Sequence, residues 1–339
     1  MWMRNRCRIA VAFGLGVLLW NLPVTAAAQD CVDAQGTEAC LRADDRDPLP
    51  LGQRIPLILV HGWNRDGVPG PPQTETWDSW LSFSKDDDAL RSRFKPYVFS
   101  YYSNVGNVPQ LARALQENID QIGFGGRQIA IVAHSMGGLI SRYFLRLPQS
   151  NGRPNGERVA ILVTLGTPHH GSLAANGPAM ASRSGPVWLW LWEYAVSLLY
   201  PHAELLRWFQ PNRTDLFWDN YDDRLDYVTF PSEQNVLLNA INGDRTYDGR
   251  IVAYAGVLRI CPVILDDKYC ALSELLKALF GLTSDGIVPA SSALFFSSPE
   301  GEQSRFRTRV FPDYDHTEIA QGKGDGVLFA RINAYSGPS

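Results

Sequence analysis

Ser135 follows a short apolar run, Ile129 to Ala133, and two glycines, Gly137 and Gly138, come almost at once after it. A serine hydroxyl is a weak nucleophile until it is exposed, aimed and set beside a base. A strand that turns sharply into a helix exposes and aims it, and the strained turn leaves room only for small neighbours. Ala133 and Gly137 supply those two positions, with alanine where glycine is the usual choice. A small-x-Ser-x-Gly string by itself is common by chance. Here the apolar run before it and the amphipathic stretch Leu139 to Leu147 after it provide the strand–turn–helix context the motif needs.

A serine nucleophile needs a base, and the base needs a carboxylate to fix its tautomer and stabilise its charge. The chain has only 6 histidines, so the base can be sought by elimination. His61 and His134 sit in tight motifs beside apolar strands, His169 and His170 follow the strand after Ser135, and His202 falls in a region without strands. His316 alone lies late, in Asp-Tyr-Asp-His-Thr-Glu, just past the last expected strand. Loops at the carboxyl ends of parallel strands gather into one site, so a late loop histidine can reach Ser135. For the carboxylate, Asp285 in Ser-Asp-Gly-Ile-Val-Pro lies between Ser135 and His316, in the order this chemistry uses. Asp313 and Asp315 are too close to His316 in sequence to orient it easily from behind. Asp266 and Asp267 fall between two cysteines. Charge developing on an attacked carbonyl needs backbone N–H donors. Met136, after the serine, and Trp63, in Val-His-Gly-Trp after an early strand, are the expected pair.

The elements that must hold these residues alternate. Leu57–Val60, Tyr97–Tyr102, Ile129–Ala133, Val159–Leu165, Ile251–Ala255 and Arg307–Phe311 read as strands, several apolar throughout, as strands buried on both faces are. Val108 to Ile122 has helical spacing and stops at a glycine cluster. Such alternation implies an α/β fold with a mostly parallel sheet and helices on both faces. Residues 172–248 break the rhythm and read as an inserted helical cap. Five of the eight tryptophans outside the leader lie there. Val187 to Tyr200 is apolar apart from Glu193 and Ser197, and too short and charged for a membrane span. Trp188, Trp190 and Trp192 on it are expected to line an acyl site.

Residues 1–28 read as a signal peptide: Arg4, Arg6 and Arg8, then an apolar stretch Ile9–Trp20, then Ala26-Ala27-Ala28. Its removal leaves an arm, 29–54, and a domain, 55–334, with a net charge of −4 − 3 = −7. A mildly acidic, well-mixed chain gives no reason to expect nucleic acid, and the mature chain carries no expected membrane span. Secretion or a periplasmic location follows. Four cysteines then remain, Cys31, Cys40, Cys261 and Cys270, and each close pair encloses a short loop. Disulfides Cys31–Cys40 and Cys261–Cys270 are expected. No cofactor is expected and no metal, since no Cys-x-x-Cys spacing occurs and no histidine pair stands beside the cysteines.

In five strings the chain resembles the lipase/esterase branch of the α/β-hydrolase superfamily. They are Leu-Val-His-Gly-Trp (59–63), Ala-His-Ser-Met-Gly-Gly (133–138), Leu-Gly-Thr-Pro-His-His-Gly-Ser (165–172), Ser-Asp-Gly-Ile-Val-Pro (284–289) and Asp-His-Thr-Glu-Ile (315–319). The first four resemble the bacterial triacylglycerol-lipase pattern. The resemblance implies an α/β-hydrolase fold and hydrolysis of carboxylic esters through an acyl-enzyme. Ser135 would be nucleophile, His316 base then acid, and Asp285 its orienter, with His169 and His170 as supporting groups. The substrate would be an ester or lipid, met at a lipid–water interface. Calcium-dependent members carry an aspartate two residues after the histidine, where this chain has the longer Glu318. Two other readings stay open at this level: an extracellular polyester depolymerase, and a non-catalytic carrier of hydrophobic ligands on the same scaffold.

Overall fold

The computed structural model describes residues 37–63, 75–176, 214–219, 235–259, 261, 267–296 and 303–323. The chain divides into two units, Met1–Asp30 and Cys31–Ser339, and the first lies wholly outside the described residues. The expected leader is therefore not described. Trp188, Trp190, Trp192 and Cys31 also lie outside, as does most of the expected cap.

Among the described residues of the second unit, seven strands form one sheet: β1 (Cys40–Ala43), β2 (Ile55–Val60), β3 (Phe94–Ser100), β4 (Ile129–His134), β5 (Val159–Leu165), β6 (Ile251–Val257) and β7 (Arg307–Pro312). Their order is β1-β3-β2-β4-β5-β6-β7, and all neighbours are parallel except β1 against β3. The described helices are α1 (Asp78–Asp86), α2 (Asp88–Arg93), α3 (Val108–Ile122), α4 (Met136–Arg146), α5 (Val236–Gly243), α6 (Lys268–Phe280), α7 (Ala290–Ala293) and α8 (Glu318–Gln321). This is the doubly covered, mostly parallel sheet that the alternation of elements implies.

The side-chain period of two divides each central strand between two cores. Ile58, Val60, Ile131, Ala133 and Leu162 pack with Leu111, Leu115, Leu139 and Phe144 of α3 and α4. Leu57, Leu59, Ala130, Val132 and Val163 pack on the other face with Trp77, Trp80, Leu90 and Ile319. Strands buried on both faces need no polar alternate, which is why they read as unbroken apolar runs.

Register sets the site's floor. Val60 pairs with Ala133, His134 with Leu165, and Leu165 with Tyr254, so β2, β4, β5 and β6 end nearly level. Helix α3 has the bounds its spacing implies. Asn107 and Gln110 cap it reciprocally, Pro109 sits in its first turn, and Gly123 ends it at φ 58°. Helix α4 begins at Met136 rather than Leu139, because Gly137 and Gly138 belong to its first turn. The sequence reading left out β1, α1 and α2. In the segment 37–54, β1 gives the sheet its antiparallel edge, and buried Arg54 donates to Asp47 at 2.5 Å and to the Phe94 carbonyl at 3.1 Å.

Candidate active site

Ser135 joins β4 directly to α4 and takes φ 53°, ψ −129°, a conformation that costs a non-glycine residue backbone strain. The surroundings hold it there. Its N–H donates to the Leu165 carbonyl at 2.9 Å, and its own carbonyl accepts from Gly138 at 3.0 Å. Gly137 lies so close to the Val60 and His61 carbonyls that any Cβ would strike them. A Cβ on Gly138 would strike Thr167 in the same way. A Cβ on Gly62 would lie 2.6 Å from Ser135 Cβ and 3.2 Å from its Oγ. The glycines of the two motifs thus let the loop after β2 lie against the serine.

His316 and Asp285 reach the serine from the loops that follow β7 and α6. His316 Nε2 lies 2.9 Å from Ser135 Oγ, and its Nδ1 lies 2.8 Å from Asp285 Oδ2. Asp285 is fully buried, and its other oxygen accepts from the Ile287 and Val288 amides at 3.0 and 2.8 Å. Backbone bonds fix the pair further: His316 N–H donates to the Asp285 carbonyl at 2.9 Å, and Asp313 N–H to the Val257 carbonyl at 2.7 Å. Gly166, at φ 55°, makes room for both. A Cβ there would lie 2.9 Å from Asp285 Oδ2 and 3.3 Å from His316 Nδ1. The three residues singled out from the sequence are therefore brought into one hydrogen-bonded chain.

Burial lowers three of the other described histidines, His61, His134 and His169. Burial lowers His61 to about 4, and its Nδ1 donates to the Gly62 carbonyl at 2.7 Å. Its Nε2 then accepts from the Tyr101 amide at 3.3 Å, and the two rings stack at 4.1 Å. His134 is pushed well below its ordinary value by burial and then by His316, and its Nε2 donates to the His316 carbonyl at 2.8 Å. His169, likewise lowered chiefly by burial, lies 3.1 Å from the Arg142 guanidinium and 3.1 Å from Thr164 Oγ1. His170 bonds Asp219 at 2.7 Å and the Phe296 carbonyl at 2.8 Å, which ties residues 214–219 of the insertion to the loop after β5.

Sequence reasoning missed several groups. Tyr101 donates its hydroxyl to the His61 carbonyl at 2.5 Å, and the Trp63 indole N–H donates to Asn104 Oδ1 at 2.6 Å. These bonds fasten the loop carrying Trp63 to the end of β3. No motif marks Tyr101 or Asn104, because they act across strands. Asp215 Oδ2 accepts from Val108 N at 3.1 Å, so a residue of the insertion helps cap α3. Glu318 has a local partner set: it accepts from the Asp315 amide at 3.0 Å and pairs with Lys323 at 3.1 Å, while Asp315 accepts from the Glu318 amide at 2.7 Å. These reciprocal bonds hold the turn that leads from His316 into α8. Among the described residues no group of three or more His, Cys, Asp and Glu side chains could hold a metal ion.

Cys261 and Cys270 form a disulfide with Cα atoms 5.3 Å apart, as their spacing implied. Cys40 is disulfide-bonded as well, and its expected partner Cys31 lies outside the described residues. Among the described residues no helix is long and apolar enough to cross a membrane. A cavity of about 580 Å³ beside Ile129, Arg127 and Arg158 opens at the opposite end of β4 from Ser135 and is no part of this site.

The family model of the PGAP1-like alpha/beta domain matches residues 96–182, a segment that contains β4, Ser135, α4 and β5. Among solved structures, the chain is similar to a lipase of Bacillus licheniformis in its mature form. The TM-score is 0.51 at 17% identity, over 87% of this chain and 97% of that one. Against the propeptide form of that lipase the TM-score is 0.52 at 15% identity, over 88% of this chain and 54% of the other. The chain thus spans about half the length of the propeptide form. With its strand order, its serine turn and these likenesses, the chain has the α/β-hydrolase fold.

Proposed function

We propose that the chain is an exported serine hydrolase that cleaves carboxylic esters through an acyl-enzyme. The observation that carries this reading is the continuous chain from Ser135 Oγ through both nitrogens of His316 to buried Asp285, at 2.9 and 2.8 Å. His316 Nε2 accepts the serine proton as Oγ attacks the ester carbonyl. Asp285 receives the Nδ1–H bond and stabilises the imidazolium that forms. The oxyanion of the tetrahedral intermediate is received by the amides of Met136, which follows the serine, and Trp63, which follows Gly62 against it. The intermediate collapses as His316 hands its proton to the leaving alkoxide. Water, deprotonated by the same nitrogen, then releases the acid. The likeness to the Bacillus licheniformis lipase supports an ester as substrate.

The test is Ser135→Ala, with ester turnover and fluorophosphonate labelling as readouts. Turnover is expected to fall by about a millionfold and labelling to vanish, with the fold retained. Retention of most activity in this variant rejects the reading. Tight fatty-acid binding by the wild type with no ester turnover would favour the carrier instead.

A further inference from the structure

Asp285 and His316 lie on separate loops, 31 residues apart, and their mutual geometry must be set by whatever packs on both. One element outside the sheet does so. We propose that helix α6 straps these two loops together, that Tyr269 is the positioning residue at the contact, and that the Cys261–Cys270 disulfide anchors the strap. The roles given to Asp285 and His316 here rest on the proposed function.

Tyr269 lies in the first turn of α6 and touches both loops. Towards the acid, Gly286 takes φ 97°, and a Cβ on it would lie 2.6 Å from Tyr269 Cβ and 2.7 Å from its Cα and carbonyl oxygen. The helix backbone therefore rests directly on the residue after Asp285. Towards the base, the Tyr269 hydroxyl lies 2.6 Å from Thr317 Oγ1, on the residue after His316. One turn on, Ser273 Oγ donates to the Ser284 carbonyl at 3.4 Å, on the residue before Asp285. Helix α6 thus grips the acid from both sides and the base from one.

The helix start is itself fixed. Asp267 caps it, accepting from the Tyr269 amide at 2.8 Å and the Cys270 amide at 3.4 Å. Cys270, next to Tyr269, is bonded to Cys261, which follows the end of β6 at Val257. The disulfide thereby ties Tyr269 to the strand whose far neighbour, β7, carries the base. Burial pushes the Tyr269 phenol up to about 12, so its proton stays in place at any pH near neutrality.

The test compares Tyr269→Phe, Thr317→Val, Thr317→Ser, the pair Tyr269→Phe with Thr317→Val, and Cys261→Ser with Cys270→Ser. Phenylalanine keeps the ring and its packing and removes only the hydroxyl. In Tyr269→Phe and Thr317→Val, kcat on p-nitrophenyl esters is expected to fall about fivefold, with KM within twofold of wild type. Thr317→Ser should restore kcat, and the pair should be no worse than either single change. The low-field proton NMR resonance of the His316–Asp285 hydrogen bond should weaken or move in the same variants and in the disulfide variant. A lowered melting temperature with kcat and this resonance unchanged overturns the proposal and leaves α6 as scaffold. The resonance needs no turnover. A wild type inactive on esters would reject the proposed function, while the resonance would still decide the strap.

Discussion

The serine and the acid–base pair are held in contrasting ways. Ser135 is placed by contiguous residues: β4 leads in, α4 leads out, and glycines at 62, 137 and 138 clear the space around it. Asp285 and His316 are placed by parts far apart in sequence: Gly166 after β5, the end of β6, Tyr269 of α6 and His134 beside the serine. On the first side the backbone is strained and the contacts are steric. On the second side, close approaches at Gly166 and Gly286 are joined by a larger set of hydrogen bonds. Steric placement tolerates no enlargement, whereas hydrogen-bonded placement should degrade by steps as single bonds are removed.

The largest effect separating the two should come from Asp285→Asn. The amide can still accept from Ile287 and Val288, so the loop should keep its shape. It cannot stabilise the imidazolium and favours the wrong tautomer of His316. A drop in kcat of about 10⁴-fold is expected, with the melting temperature little changed. Steady-state kinetics and a thermal melt on the same sample check this. Loss of folding together with activity would instead make Asp285 chiefly structural.

A second contrast is in acid. The neutral histidines beside the serine motifs must stay unprotonated in the native state. His61 is lowered from its ordinary value to about 4, while in the unfolded chain it titrates near 6.5. The unfolded state therefore binds the extra proton first as pH falls, and stability is lost as pH drops from about 6.5 towards 4. His61 alone accounts for about 3 kcal/mol over that window. His134 and His169, lowered in the same direction, add to the same loss. Denaturant midpoints measured from pH 7 to pH 4 should fall steadily. A flat profile would mean that these rings are solvated or already charged.

The smallest effect is expected at the loop after β2. Asn104→Ala removes the acceptor for the Trp63 indole. With the backbone of the loop still bolted by Tyr101 to His61, kcat should fall only about fivefold at constant KM. A loss of a hundredfold or more would show that this loop, like the acid, depends on single hydrogen bonds.

The amino-acid sequence by itself determined the sheet core, the bounds of α3 and β5, the serine turn and the order of serine, acid and base. These are legible because burial on both faces demands unbroken apolar strands, a helix end demands its capping residues, and a strained turn demands small ones. Asp285 and His316 were reached by elimination among few candidates, not by a local signature. Edge strand β1 and helices α1 and α2 went unread, since four strand residues and two short polar-faced helices carry little periodic signal. Only the tertiary structure decided that Glu318 turns back to the Asp315 amide, that Tyr101 and Asn104 fasten the Trp63 loop, and that Tyr269 bridges the acid and base loops. Each of those contacts joins groups whose proximity depends on how strands and loops are paired, and pairing across a fold leaves no mark on the residues at either end.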